Sequence, residues 1–485
     1  MKSIGKNLIY TIILNVVNVL YPILTFPYVS RLLGPSGVGL VQFITTFALY
    51  FALVASLGLP IYGIREISKS KNDKRALSKT FSELIILSLI SNVVVLCIYL
   101  AVIKHSYFEK DYTFYLVSSL IVFFNGISIE WFYQGIEKFK LIAVRSAVVK
   151  LVAIIGLFLF VNSSQDVFNY MLMSILAIIG NSIINLFLVV KYVRFDFRHI
   201  SVQRHLKPIF FVFFYCLATS MYTMLDTIFL GVMTNSAYVG YYSAGVKLTK
   251  VFIPFITAIG ISLLPQSSKA FHEKDSDSFY SFANYSFNYI ISFAVPICFG
   301  LLLFSKELLI VFSGEKFYEG VVIMQVLSFL PLVIGLGHLF GVQILISAGK
   351  DKEILTCVLL GMIVNILLNV WLIPQLKHVG AAIANISCEI VITILYIYFV
   401  KKNFELKKII DLPTFYKALI SSLPFVFIYF LVSFFSGSYI LTIVLGVPLC
   451  AITYFFFQFF ILKNSVLIHY LRSIFKHKPM IKNER

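Results

Sequence analysis

Glu389 stands in the middle of an apolar run, 380–400, and Asp226 stands near the end of another, 209–231. A charged side chain at the centre of a membrane helix costs about 2.5–3.5 kcal/mol on insertion scales, so each must face a partner or a polar cavity. Carboxylates so placed suit a coupling cation, H⁺ or Na⁺, or the hydroxyls of a polar ligand. Asn385 lies four residues before Glu389 and shares its helix face. His338 also falls within an apolar run, where a lone imidazole is read as a structural hydrogen-bonding group. Four cations complete the set. Arg31, Lys247 and Lys250 lie near the outer ends of their runs, and Lys150 is about two turns inside the fifth. Each suits an anionic group such as a phosphate; the competing role is snorkelling to the interface. Further asparagines recur at helical spacing, Asn15/Asn18, Asn181/Asn185, Asn284/Asn288 and Asn365/Asn369. For these, interhelical hydrogen bonds of about 0.6–2 kcal/mol each are favoured over ligand contacts.

The elements that carry these residues are fourteen apolar stretches separated by short loops. A helix needs roughly 20 apolar residues to cross the hydrocarbon core. The chain is 59% hydrophobic and 13% charged, against about 25% charge in an ordinary soluble protein. Its net charge of +18 is spread over many loops, which argues against a nucleic-acid partner. Lys and Arg are retained in cytoplasmic loops. With the N-terminus inside, 31 of the 40 basic residues fall on inside positions and eight outside, Lys150 being within a helix. Both termini are therefore expected in the cytoplasm. The run from Leu8 is too long for a signal-peptide core and is read as the first span. The six cysteines all lie in apolar segments, with no metal or disulfide spacing, and no cofactor is expected. No phosphate loop, HExxH or nucleophile elbow is present, nor a long outer loop of the kind a glycan polymerase would need. The chain is not expected to be an enzyme.

Two echoes suggest an internal repeat. Arg31-Leu-Leu-Gly-Pro-Ser-Gly-Val-Gly follows the first stretch, and Leu230-Gly-Val-Met-Thr-Asn-Ser-Ala-Tyr-Val-Gly follows the seventh. Gln134-Gly-Ile-Glu-Lys-Phe-Lys follows the fourth, and Ala348-Gly-Lys-Asp-Lys the tenth. Six helices separate each pair, and an even number makes the repeat parallel. The expected fold is an all-α integral membrane protein. About 14 transmembrane helices would form two pseudo-twofold-related six-helix lobes plus a C-terminal hairpin. The expected divisions are residues 1–200 (helices 1–6), 201–405 (helices 7–12), 406–462 (helices 13 and 14) and a basic tail, 463–485. Prolines at 22, 27, 254, 296, 331 and 374 are expected to kink their helices.

Three segments carry a family resemblance: Ser30-Arg-Leu-Leu-Gly-Pro; Glu130-Trp-Phe-Tyr-Gln-Gly-Ile-Glu-Lys-Phe-Lys-Leu-Ile-Ala-Val-Arg-Ser; and Ala348-Gly-Lys through Asn365, Pro374 and Val379-Gly-Ala-Ala-Ile-Ala. The chain resembles polysaccharide transporters of the multidrug/oligosaccharidyl-lipid/polysaccharide flippase superfamily, the middle segment especially the O-antigen flippases. The resemblance implies a V-shaped, two-lobed bundle in the bacterial inner membrane. It also implies translocation of a polyprenyl-pyrophosphate-linked oligosaccharide from the cytoplasmic to the outer leaflet. Arg31, Lys150, Asp226, Lys247, Lys250, Asn385 and Glu389 would then bind substrate, with Asp226 and Glu389 also candidates for the coupling ion. Partners would be the lipid-linked oligosaccharide, membrane lipid, H⁺ or Na⁺, and a polysaccharide polymerase. A cation-coupled exporter of small molecules or drugs on the same fold is the competing expectation.

Overall fold

A computed structural model describes residues 2–196 and 200–464, and every regular element among them is helical. The expected tail lies outside them from residue 465 onward. Nine helices among the described residues are long and apolar enough to cross a membrane, or up to eleven if two bent pairs each count as one span. The chain divides into two compact units, Met1–Gly240 and Tyr241–Arg485.

In the first unit, α1 (Lys2–Ala55) is broken at Gly34, whose φ of 66° and ψ of −177° are not helical. A straight helix of 54 residues would be about 80 Å long, far beyond a hydrocarbon core of about 30 Å. The break at Gly34 separates the two apolar stretches expected at 8–30 and 40–62. The second ends earlier than expected. Leu57 and Gly58 both take positive φ, and a separate amphipathic helix, α2 (Leu59–Ser70), follows. α3 (Lys74–Val102) starts at Asp73, whose side chain accepts from the Arg75 and Ala76 N–H groups at 2.8 and 3.3 Å. α4 (Tyr112–Gly126), the short α5 (Glu130–Gly135), α6 (Phe139–Phe160), α7 (Val167–Val189) and α8 (Gln203–Met233) follow. α1 packs against α3, α4, α6 and α8.

The motifs Pro35–Gly39 and Ser236–Gly240 meet within this unit. A Cβ on Gly39 would overlap the Ser236 carbonyl, and a Cβ on Gly240 would overlap the Pro35 carbonyl. Aligned on their Val-Gly dipeptides, Pro35 and Ser236 hold equivalent places, so the contact is reciprocal. Only glycine lets the backbones approach so closely.

α9 (Ser236–Lys250) joins the units, and α10 (Ile253–His272) continues it at a bend of 45°. Next come α11 (Ser276–Leu303), α12 (Ser305–Ser313), α13 (Val321–Leu327) and α14 (Leu330–Gly337), the last running into a π-helix, His338–Ile346. The pair from Glu315 to Ile346 bends by 41°. Pro254 and Pro331 each sit in the first turn after these bends, where a missing N–H costs least. α15 (Asp351–Asn403) is broken at Lys377 (φ 51°, ψ −125°), between the stretches expected at 354–376 and 380–400. α16 (Leu412–Ser422), α17 (Pro424–Ser436) and α18 (Tyr439–Phe456) complete the chain. The last two pack on the second unit through Phe304, Phe425, Cys450 and Tyr454, and Tyr454 Oη donates to the Ser292 carbonyl at 2.6 Å.

The second echo is a repeated turn. Glu137 (φ 60°) and Gly349 (φ 68°) are both left-handed. The residues after them, Lys138 (−88°, 48°) and Lys350 (−91°, 45°), match closely. Each lysine N–H bonds the carbonyl five residues back, Tyr133 or Leu345, at 2.9 Å, closing a Schellman turn before the next helix. The sequence pairs Gly135 with Gly349; the backbone instead pairs Glu137 with Gly349, because the left-handed position, not glycine identity, defines the turn.

Candidate functional site

A polar constellation of the first unit surrounds α5. α4 ends at Gly126, and side chains of α3 bind the carbonyls of its end: Asn92 Nδ2 donates to Val122 and Phe123 at 3.0 and 3.1 Å, and Ser88 Oγ to Gly126 at 2.9 Å. The break re-aims the chain so that α5 lies on α2. Gly63 receives the Trp131 ring and Gly135 receives Ile67, contacts that any Cβ would block.

Behind α5 lies Arg145, only 5% exposed. Its Nη1 donates to Asn185 Oδ1 and its Nε to Asn181 Oδ1 at 3.4 Å. The guanidinium stands 5.2 Å from the Tyr133 ring centre, and Nη2 is 3.8 Å from Glu130 Oε2. Tyr133 Oη donates to the Asn185 carbonyl at 2.9 Å. The Asn181/Asn185 stripe is thus a receptor for an arginine. Glu130 Oε1 also accepts from Gln134 Nε2 at 3.3 Å. In front of Glu130 opens a cavity of about 220 Å³ lined by Ser56, Asn125, Ser128, Trp131 and Gln134 among others.

The sequence-derived candidates fall into two groups. Arg31, Lys150 and Asp226 belong to the first unit, and Lys247, Lys250, Asn385 and Glu389 to the second. Arg31 precedes the Gly34 break, is exposed, and donates from Nη1 to the Pro27 carbonyl at 3.1 Å. Lys150 Nζ donates to Asn18 Oδ1 and stands 5.8 Å from the centre of the Tyr21 ring. Asp226 is completely buried on α8.

Lys247 and Lys250 occupy the last turn of α9. Their span begins at Ser236 and not at the expected 246. The polar-looking stretch before Lys247 is helical because Tyr242, Ser243 and Ala244 are buried. Both lysines are half-buried and stand just before the 45° bend between α9 and α10. On α15, Asn385 is buried and Glu389, one turn later, half-buried. Asn369 Nδ2 donates to the Asn365 carbonyl at 2.9 Å, Asn288 Nδ2 donates to Asn284 Oδ1 at 3.0 Å, and Asn284 Nδ2 reaches out of α11 to the Ile409 carbonyl at 3.1 Å. His338 opens the π-helix, its Nδ1 buried against Gly260.

Sequence reasoning also passed over Glu83, 0% exposed. Its carboxylate accepts from the Ser201 N–H at 2.8 Å, from Arg204 Nη2, and from His205 Nε2 at 3.1 Å. His205 Nδ1 is 2.7 Å from Tyr62 Oη. This knot pins the segment between α7 and α8 to α3. A buried acid next to a serine gave no signal in sequence, because its partners are more than a hundred residues away.

The chain matches the family described as polysaccharide biosynthesis protein over residues 4–271, and the MatE family over residues 208–371. It is 26% identical over 421 residues to a protein of Escherichia coli K12 named as an O-antigen transporter, covering 83% of this chain and 97% of that one. A Shigella dysenteriae protein of the same name is 24% identical over 404 residues, covering 82% of this chain and 100% of that one. Among solved structures, the lipid II flippase MurJ in an inward closed conformation superposes with a TM-score of 0.73 at 16% identity, covering 95% of this chain and all of that one. That likeness establishes the fold.

Proposed function

Because the chain belongs to the polysaccharide biosynthesis protein family, we propose that it is a flippase for a polyprenyl-pyrophosphate-linked oligosaccharide. It would carry an O-antigen-type repeat unit from the cytoplasmic to the outer leaflet of the bacterial inner membrane. The observation that carries this reading is a set of buried and half-buried polar groups, Arg145, Glu130 and the cavity before them, inside an apolar helical bundle. Such groups are costly in a membrane unless they serve a polar path. A glycan and a pyrophosphate cannot cross hydrocarbon unaided, whereas the lipid tail can remain in it.

In this reading Arg31, Lys150, Lys247 and Lys250 meet the pyrophosphate at successive depths, and Asn385 meets sugar hydroxyls. Asp226 and Glu389 bind sugar or a coupling cation. The breaks at Gly34 and Lys377 each divide two crossings; with both bent pairs and α8 counted, the chain crosses fourteen times and both termini are cytoplasmic. Two six-helix lobes alternate access around a central path. The MatE match over 208–371 favours a second reading, a cation-coupled exporter of small molecules.

A deletion strain separates the two. Loss of the flippase leaves lipid-linked repeat units on the cytoplasmic leaflet, and surface glycan disappears. Normal surface glycan together with increased sensitivity to organic cations would favour the exporter.

A further inference from the structure

We propose that the cavity before α5 is a recognition subsite for one neutral sugar ring of the glycan, resting on the flippase reading above. Its lining excludes other ligands by charge. Glu130 is the one ionisable side chain among its lining residues. A carboxylate is acceptor-only and repels a phosphate. An organic cation is equally ill-suited, because the Arg145 guanidinium already stands 3.8 Å from the Glu130 carboxylate and balances its charge. What remains is a ligand that both donates and accepts hydrogen bonds without net charge.

The other lining groups match that description. Asn125 and Gln134 bring amides, and Ser56 and Ser128 bring hydroxyls, each able to donate and to accept. Trp131 lines the same cavity, is 2% exposed, and its buried indole N–H has no protein acceptor. At about 220 Å³ the space is smaller than the roughly 300–1,000 Å³ of drug-sized sites. It holds one pyranose and not a repeat unit, so the rest of the glycan must lie outside it. The subsite sorts substrates by a single sugar, while pyrophosphate is held elsewhere.

The chain has only two tryptophans, Trp131 and Trp371. Purified Trp371→Phe protein in lipid nanodiscs therefore reports Trp131 alone by fluorescence. Free neutral hexoses and N-acetylhexosamines are titrated, with inorganic pyrophosphate and tetraphenylphosphonium as the charged probes. At least one neutral sugar is expected to change the emission saturably. Gln134→Ala and, separately, Ser128→Ala should each weaken that response about three- to tenfold, the loss of one hydrogen bond, with unchanged thermal unfolding. Saturation by either charged probe at this tryptophan, or sugar binding indifferent to both substitutions, overturns the subsite. So does silence from every neutral sugar. Transport of lipid-linked oligosaccharide by the wild-type protein in vesicles is followed in parallel. Transport that persists while the sugar titrations fail removes the subsite and leaves the flippase reading; absence of transport removes the flippase reading itself.

Discussion

Arg145 is a structural centre of the first unit. It stands in the second turn of α6, its guanidinium divided among Asn181, Asn185, Tyr133 and Glu130. Lysine cannot reproduce that fork, since an ammonium is a point charge on a flexible stem. Arg145→Lys is therefore expected to lower stability by about 1–3 kcal/mol, the cost of buried acceptors losing a charged donor. Thermal unfolding of the purified protein would reveal this; an unchanged midpoint would mean the arginine is not load-sharing. The asparagine stripe was visible in sequence, and so was the motif holding Glu130 and Trp131. Their meeting was not, because it depends on the break between α4 and α5 that brings helix ends 52 residues apart together, as in the Tyr133–Asn185 bond.

At the scale of elements, apolar length located the helices well and their ends poorly. Gly34 and Lys377 break α1 and α15 between stretches that the sequence separates. α9 begins at Ser236, ten residues before the expected 246, because its small and polar residues Ser243 and Ala244 are buried. The paired Schellman turns give a quantitative check. Gly349 has open space around it but takes φ of 68°, so Gly349→Ala should cost about 1–2 kcal/mol through backbone strain alone. Glu137 holds the same conformation with a Cβ, so Glu137→Gly should relieve a similar strain, less its ion pair with Lys71. That exposed pair is weak. Opposite signs for the two substitutions in denaturant or thermal unfolding are the expected outcome; equal destabilisation would show that the turns are not equivalent.

At the scale of the whole molecule, the two sequence echoes correspond to matched turns at 137 and 349 and to a reciprocal contact of Pro35–Gly39 with Ser236–Gly240. Neither glycine contact can yield, since each opposes backbone. Gly39→Val and Gly240→Val should impair folding to a similar degree, each by at least the 1–3 kcal/mol typical of overpacking. Comparing the yield of folded protein after purification checks this, and normal yield from either variant would speak against the contact. The charge bias of the loops was legible from sequence and sets the proposed orientation. The partners of the buried charges were not, because distance in sequence hides them.

The central claim is movement of a lipid-linked glycan between leaflets. The purified chain is reconstituted into vesicles carrying a polyprenyl-pyrophosphate-linked oligosaccharide, and a membrane-impermeant glycan-modifying reagent is added outside. Wild-type protein should expose nearly all of the lipid-linked glycan to the reagent, whereas protein-free vesicles expose only the outer half. An accessible fraction that stays at one half, from protein shown to be folded and inserted, would contradict the account.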